Sequence, residues 1–133
     1  MKREQVPSRM ALQDAIKNLR FKLILDESYI PFECAGYIPC TLDGEDAGVD
    51  IKFGETDFTA LTPDIKAAIS DRDTTIMIRS GADPREIVSA AILAATLANS
   101  FEALIQNQAK DTLENSKELL DTARSTFSEL SDF

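Results

Sequence analysis

The chain has 133 residues, with 14 Lys+Arg against 23 Asp+Glu, a formal charge of −9, no His, no Trp, two Cys and 44% apolar residues. That length suits one domain with one modest core, and the apolar fraction is too high for a wholly disordered chain. Without His the commonest general base and metal ligand is missing, and so is every Ser-His or Cys-His pair; the acidic balance opposes nonspecific binding to nucleic acid or anionic membrane.

No apolar stretch follows the basic start Met1-Lys2-Arg3, so the N-terminus does not read as a secretory signal. Ser8 is placed to cap a first helix, with Leu12, Ile16 and Leu19 at helical spacing and Ala15 beside them. Phe21, Leu23 and Leu25 then alternate with Lys22 and Ile24, the period of a strand. From Ile30 to Leu42 the even positions Ile30, Phe32, Cys34, Ile38, Cys40 and Leu42 are apolar, which predicts a strand with Gly36 at a bend or bulge. Cys34 and Cys40 form no CxxC pair, and their shared parity predicts two small reduced core residues on one strand face in a cytoplasmic protein. Asp43-Gly44-Glu45-Asp46-Ala47-Gly48 reads as a hairpin loop, after which Val49, Ile51 and Phe53 alternate again. An antiparallel pair of 37–42 with 48–54 follows.

Thr62-Pro63 opens a short helix with Ile65, Ala68 and Ile69 facing inward. Thr74 to Arg79 reads as another strand. Asp83 is an N-cap, Pro84 the first helical residue, and Glu86 completes a box-like pattern. The helix that follows is apolar nearly all round, from Ile87 to Ala98. It falls short of the roughly 20 residues a membrane span needs, so it reads as the central core helix. Beyond Ile105 polarity rises, and Leu113, Leu120 and Phe127 recur every seven residues with Ser116, Ala123 and Leu130 in companion positions. That narrow seam reads as a surface helix laid on the domain or as a dimer contact. The expected architecture is α+β: an antiparallel sheet against a central apolar helix, with helices at both ends. Residues 1–108 form the domain and 109–133 a C-terminal helical extension.

Charge is unevenly spread: +4 over residues 1–25, −9 over 26–83 and −4 over 84–133. The acidic excess thus coincides with the expected sheet and its loops. Asp43, Glu45, Asp46 and Asp50 lack the phasing of a calcium loop. An enzyme working with Asp and Glu alone, with or without a divalent metal, needs carboxylates converging in a cleft, and these sit in loops without an aromatic substrate cluster. Ser80-Gly81 before a helix could offer N–H groups to an anion, but Asp83 already occupies that end. No P-loop, dinucleotide fingerprint, GxSxG or HExxH occurs. No metal or cofactor is therefore expected, and no catalysis. What remains is an acidic surface suited to a basic macromolecule. Asp43, Glu45, Asp46, Asp50, Glu55 and Asp57 would supply its field, and the exposed aromatics Tyr29, Tyr37 and Phe58 its apolar anchors.

The stretches Gly36-Tyr37-Ile38-Pro39-Cys40-Thr41-Leu42-Asp43-Gly44, Ala47-Gly48-Val49-Asp50 and Ile76-Met77-Ile78-Arg79-Ser80-Gly81-Ala82-Asp83-Pro84-Arg85-Glu86, with the alanine-rich helix to Ala98, carry a resemblance. Over residues 29–105 the chain resembles small bacterial immunity proteins of polymorphic toxins, including contact-dependent growth inhibition systems. The resemblance implies an α+β protein that neutralises a cognate toxin, such as a nuclease, without contacting nucleic acid or membrane itself. Such a partner would be basic, and the chain a monomer or homodimer. The alternative is a dimer like a secretion chaperone, holding an unfolded effector segment.

Overall fold

Ser8 begins the first α-helix because its hydroxyl accepts the Ala11 N–H at 3.2 Å, one of the donors a helix start leaves unpaired. Helix α1 (Arg9–Asn18) then buries Leu12 and Ile16. The computed structural model describes residues 1–69, 72–107 and 112–131. Among these, strands β1 (Leu23–Leu25), β2 (Ala35–Leu42), β3 (Glu45–Glu55) and β4 (Thr74–Arg79) form an antiparallel sheet in the order β1-β2-β3-β4. Helix α2 (Pro63–Ile69) lies between β3 and β4, and α3 (Pro84–Ser100) follows β4. A separate hairpin of β5 (Ile105–Asn107) and β6 (Thr112–Glu114) leads into α4 (Ser116–Ser131).

The architecture is α+β, with α3 packed against the sheet and helices at both ends. One face of the sheet buries Leu23, Leu25, Ile38, Cys40, Leu42, Ala47, Val49 and Ile51 in the same cluster as Val88, Ile92 and Leu93 of α3. Asp83 caps α3 by accepting the Arg85 N–H at 2.8 Å, with Pro84 in the first turn. Ser89 and Thr96 are buried on α3 yet satisfied, each hydroxyl donating at 2.7 Å to the carbonyl one turn back. Glu86 does not close a box with Asp83. It accepts the Gly81 N–H at 3.2 Å, two residues ahead of the cap.

Three expectations are corrected locally. Strand β2 begins at Ala35, not Ile30, because residues 31–33 form a turn in which Phe32 takes φ 68°; Ile30 is exposed and Cys34 precedes the strand, half-buried against the core. Both cysteines are free thiols. The hairpin loop shrinks to Asp43-Gly44, at φ 52° and 82°, and Leu42 pairs directly with Glu45. Two consecutive positive φ values make the tightest hairpin connection, which Asp-Gly satisfies and a side chain at Gly44 would strain. In α2, Ile65 and Ile69 are buried but Ala68 is exposed.

Pro39 explains where β1 stops. In the β1–β2 ladder, Asp43 donates to the Lys22 carbonyl at 2.8 Å, so Thr41 and Pro39 face the same side. Pro39 has no N–H to give, and β1 ends at Leu25, whose partner is Cys40. The outer side of β1 is closed differently. Gln13 of α1 donates to the Leu23 carbonyl and accepts from the Leu25 N–H, both at 2.8 Å, as a neighbouring strand would.

The β5–β6 hairpin has no counterpart in the sequence reading. Leu113 sits in β6 and not on a helix, whereas Leu120 and Ala123 of α4 are buried and α4 packs against α3. The seam positions of α4 are thus used within the chain. The expected boundary between residues 108 and 109, and the side chain of Leu130, lie outside the described residues.

The folded state shifts several acids, which sets its pH limits. Asp26 is held below the ordinary 3.8 by hydrogen bonds from Ser28, and Asp73 by the Arg3 main-chain N–H at 3.0 Å. Burial pushes the Cys40 thiol above 9.0 and the Tyr29 phenol above 10.0. Below about pH 4 the unfolded chain therefore binds protons that the fold refuses, and above about pH 9 it releases protons that the fold retains. The urea midpoint, followed by circular dichroism, is expected to fall at both edges. Replacing Asp26 and Asp73 by asparagine should flatten the acid edge and leave the alkaline one.

Candidate functional site

The β2–β3 register decides which of the acidic and aromatic residues can act together. Asp43, Glu45 and Asp46 all lie exposed at the hairpin tip, Glu45 and Asp46 pointing to opposite faces of β3, with Asp46 opposite Thr41. The Asp43 carboxylate lies 3.6 Å from the Lys22 ammonium, an exposed pair of small energetic weight. Asp50 sits midway along the sheet between Tyr37 on β2 and Arg79 on β4. Glu55, Asp57 and Phe58 lie at the far end of β3. With ~3.3 Å of rise per residue, Glu45 and Glu55 are ~33 Å apart.

Alternation places Tyr37, Asp46, Asp50, Lys52 and Arg79 on the face opposite the core. Two cations therefore interrupt the acidic residues at mid-sheet and separate those of the tip from Glu55 and Asp57. Tyr37 is 58% exposed and its ring lies where a Cβ on Gly48 would stand, so glycine is needed there for a close approach. The Tyr37 hydroxyl donates to Glu86 at 3.2 Å, tying the sheet face to the start of α3.

At the far end, Asp57 accepts the Thr59 N–H at 3.1 Å and caps a 3-10 turn, Phe58–Ala60. Its carboxylate shapes the backbone there. Phe58 is 39% exposed.

Tyr29 is not an exposed anchor. It is 3% exposed and meets Phe53 edge-on at 6.0 Å, while Phe32 tilts against Phe53 at 5.4 Å. Arg3 stacks over Phe32 at 3.7 Å from the ring centre. The sequence reading expected no aromatic cluster. These rings come together because the turn after Tyr29 folds Phe32 back onto β3, which period-two alternation cannot reveal. They act in packing.

Among the described residues, no three His, Cys, Asp or Glu side chains are grouped to hold a metal ion, and no helix is long and apolar enough to cross a membrane. A cavity of about 530 Å³, which the sequence reading missed, lies between β4, α2, α3 and the β5–β6 hairpin. Its lining contains one charged side chain among the described residues, Arg72. No local signal marks it in the sequence, where Arg72 stands between Asp71 and Asp73. Comparison with protein-family models, curated proteins and solved structures found no match to this chain.

Proposed function

We propose that this chain is a cytoplasmic, non-catalytic immunity or inhibitor protein that neutralises a basic protein toxin by docking the β2–β3 hairpin tip on it. A nuclease, whose cationic groove accepts phosphates, is the toxin class that three clustered carboxylates complement best. The supporting observation is the placement of Asp43, Glu45 and Asp46, all exposed, at one end of the sheet around a two-residue turn whose geometry is set by Asp43-Gly44. A short turn on a paired ladder holds these charges in place before contact, so little ordering entropy is lost on binding. Long-range attraction then speeds encounter, and Tyr37 gives the same sheet an exposed aromatic ring beyond the tip.

The test is co-expression with the protein encoded by the adjacent reading frame. The chain should relieve that protein's toxicity and form a one-to-one complex whose association slows steeply as salt rises. Changing Asp43, Glu45 and Asp46 together to lysine should slow association by about tenfold to a hundredfold at low salt while circular dichroism stays unchanged. A folded variant that protects as well as the original would overturn the proposal.

A further inference from the structure

The two edges of the sheet are finished differently, and the register shows how. Thr56 donates to the Asp73 carbonyl at 2.9 Å, which makes those two residues a hydrogen-bonded pair of the β3–β4 ladder. Bonded and non-bonded pairs alternate in an antiparallel ladder, so Thr75, Met77 and Arg79 bond to β3. Thr74, Ile76 and Ile78 point their N–H and C=O groups the other way. Thr74 confirms this, exchanging two 2.9 Å bonds with Met1 on that outer side. Ile76 and Ile78 continue the same row without a main-chain or side-chain hydrogen-bond partner there among the described residues. On the opposite edge, by contrast, Gln13 occupies the matching groups of Leu23 and Leu25.

The open row borders the cavity of about 530 Å³, within the ~300–1,000 Å³ range of ligand sites. Ile76 and Ile78 stand on one side, Ala90 and Ala94 of α3 form a small-residue wall, and Leu104 just before β5 and Leu113 of β6, both 37% exposed, complete the other side. Arg72 completes the lining. One of its terminal nitrogens donates to the Ile69 carbonyl at 3.1 Å, but its Nε is buried without an acceptor. An unpaired buried donor is costly unless a ligand satisfies it.

We propose that this groove binds an extended peptide of a partner protein, which joins the sheet as a strand beside β4. An extended main chain is the ligand whose donors and acceptors repeat at the two-residue spacing of Ile76 and Ile78. Its alternate side chains are apolar, facing Ala90, Ala94, Leu104 and Leu113. A carboxylate near its α2 end meets Arg72, the one charged side chain on the lining among the described residues, beside the Met1 ammonium. This site is separate from the hairpin tip and does not rest on the immunity reading.

The experiment adds the peptide acetyl-TETVTVK-amide, whose glutamate lies near one end on the same face as its valines, to the full chain and follows main-chain amides by NMR. Binding is expected to shift the Ile76 and Ile78 amides and to protect them from hydrogen exchange, while those of Thr75 and Met77, already bonded to β3, change little. Methylating alternate peptide nitrogens should abolish binding, and exchanging the peptide glutamate for glutamine should weaken it at least tenfold. Arg72→Leu should erase that tenfold difference; the comparison of the two peptides on the unaltered protein stands even if this variant folds poorly. Three results would overturn the inference: no change at the Ile76 and Ile78 amides at millimolar peptide, equal binding of the methylated peptide, or protection of these amides by self-association of the chain alone.

Discussion

Ile92→Ala is expected to lower unfolding free energy by about 3 kcal/mol, the cost of removing a large buried side chain and leaving a void. Ile92 is 0% exposed at the centre of α3, among residues of the sheet. Its neighbours are held by the β2–β3 ladder and by α3 itself, so they can collapse into the space only in part. For a chain of this size the thermal midpoint should fall by roughly 10 °C. Ile87→Ala on the same helix is the internal control: Ile87 is 46% exposed, and its replacement should change stability by about 0.5 kcal/mol or less. Calorimetric melts of the two variants check the difference. Similar losses in both would mean that α3 is not buried along the face containing Ile92.

Gln13→Leu is expected to cost about 2 kcal/mol through the groups it leaves behind. Leucine keeps the apolar stem of the side chain but provides neither the donor for the Leu23 carbonyl nor the acceptor for the Leu25 N–H. Both main-chain groups are then partly shielded from water with nothing to pair with. Gln13→Glu separates the two bonds: a carboxylate still accepts from Leu25 but cannot donate to Leu23, so its loss should fall between zero and that of leucine. Urea unfolding of the three proteins gives the order. Gln13→Leu should also exchange the Leu25 amide proton faster in native conditions, whereas a purely packing effect would leave that proton unchanged.

The sequence announced the elements whose causes are local. Ser8 and Asp83 cap helices where expected, Pro84 starts α3, and Thr74 to Arg79 is a strand. The apolar face of α3 was readable because Val88, Ile92, Leu93, Ala95 and Leu97, all buried, recur at helical spacing. Reading failed where a long-range contact decided the outcome. Ile30 and Phe32 share the parity of Ile38, yet the turn at Phe32 takes them out of the strand. Tyr29 carries no local mark of burial, and only its meeting with Phe53 hides it. The brief strands of the β5–β6 hairpin are too short for alternation to register.

The acidic residues show the same limit. Their closeness in sequence from Asp43 to Asp46 survives folding because a two-residue turn keeps them together. Glu55 and Asp57 are also near in sequence to Asp50, but a strand carries them away along its length. Of the cations that dilute the sheet face, Lys52 shares β3 with Asp50, two residues on, whereas Arg79 of β4 meets Asp50 only through register. The cavity needed four separate elements to enclose it.

The amide plug from α1 has a consequence for stoichiometry. A sheet open on both flanks can lengthen without end, each added copy offering a fresh template to the next. Here one flank is already occupied by a side chain of the same molecule. Should two copies ever join through β4, each would present only its sealed flank outward, and growth would halt at a pair instead of running on into a filament.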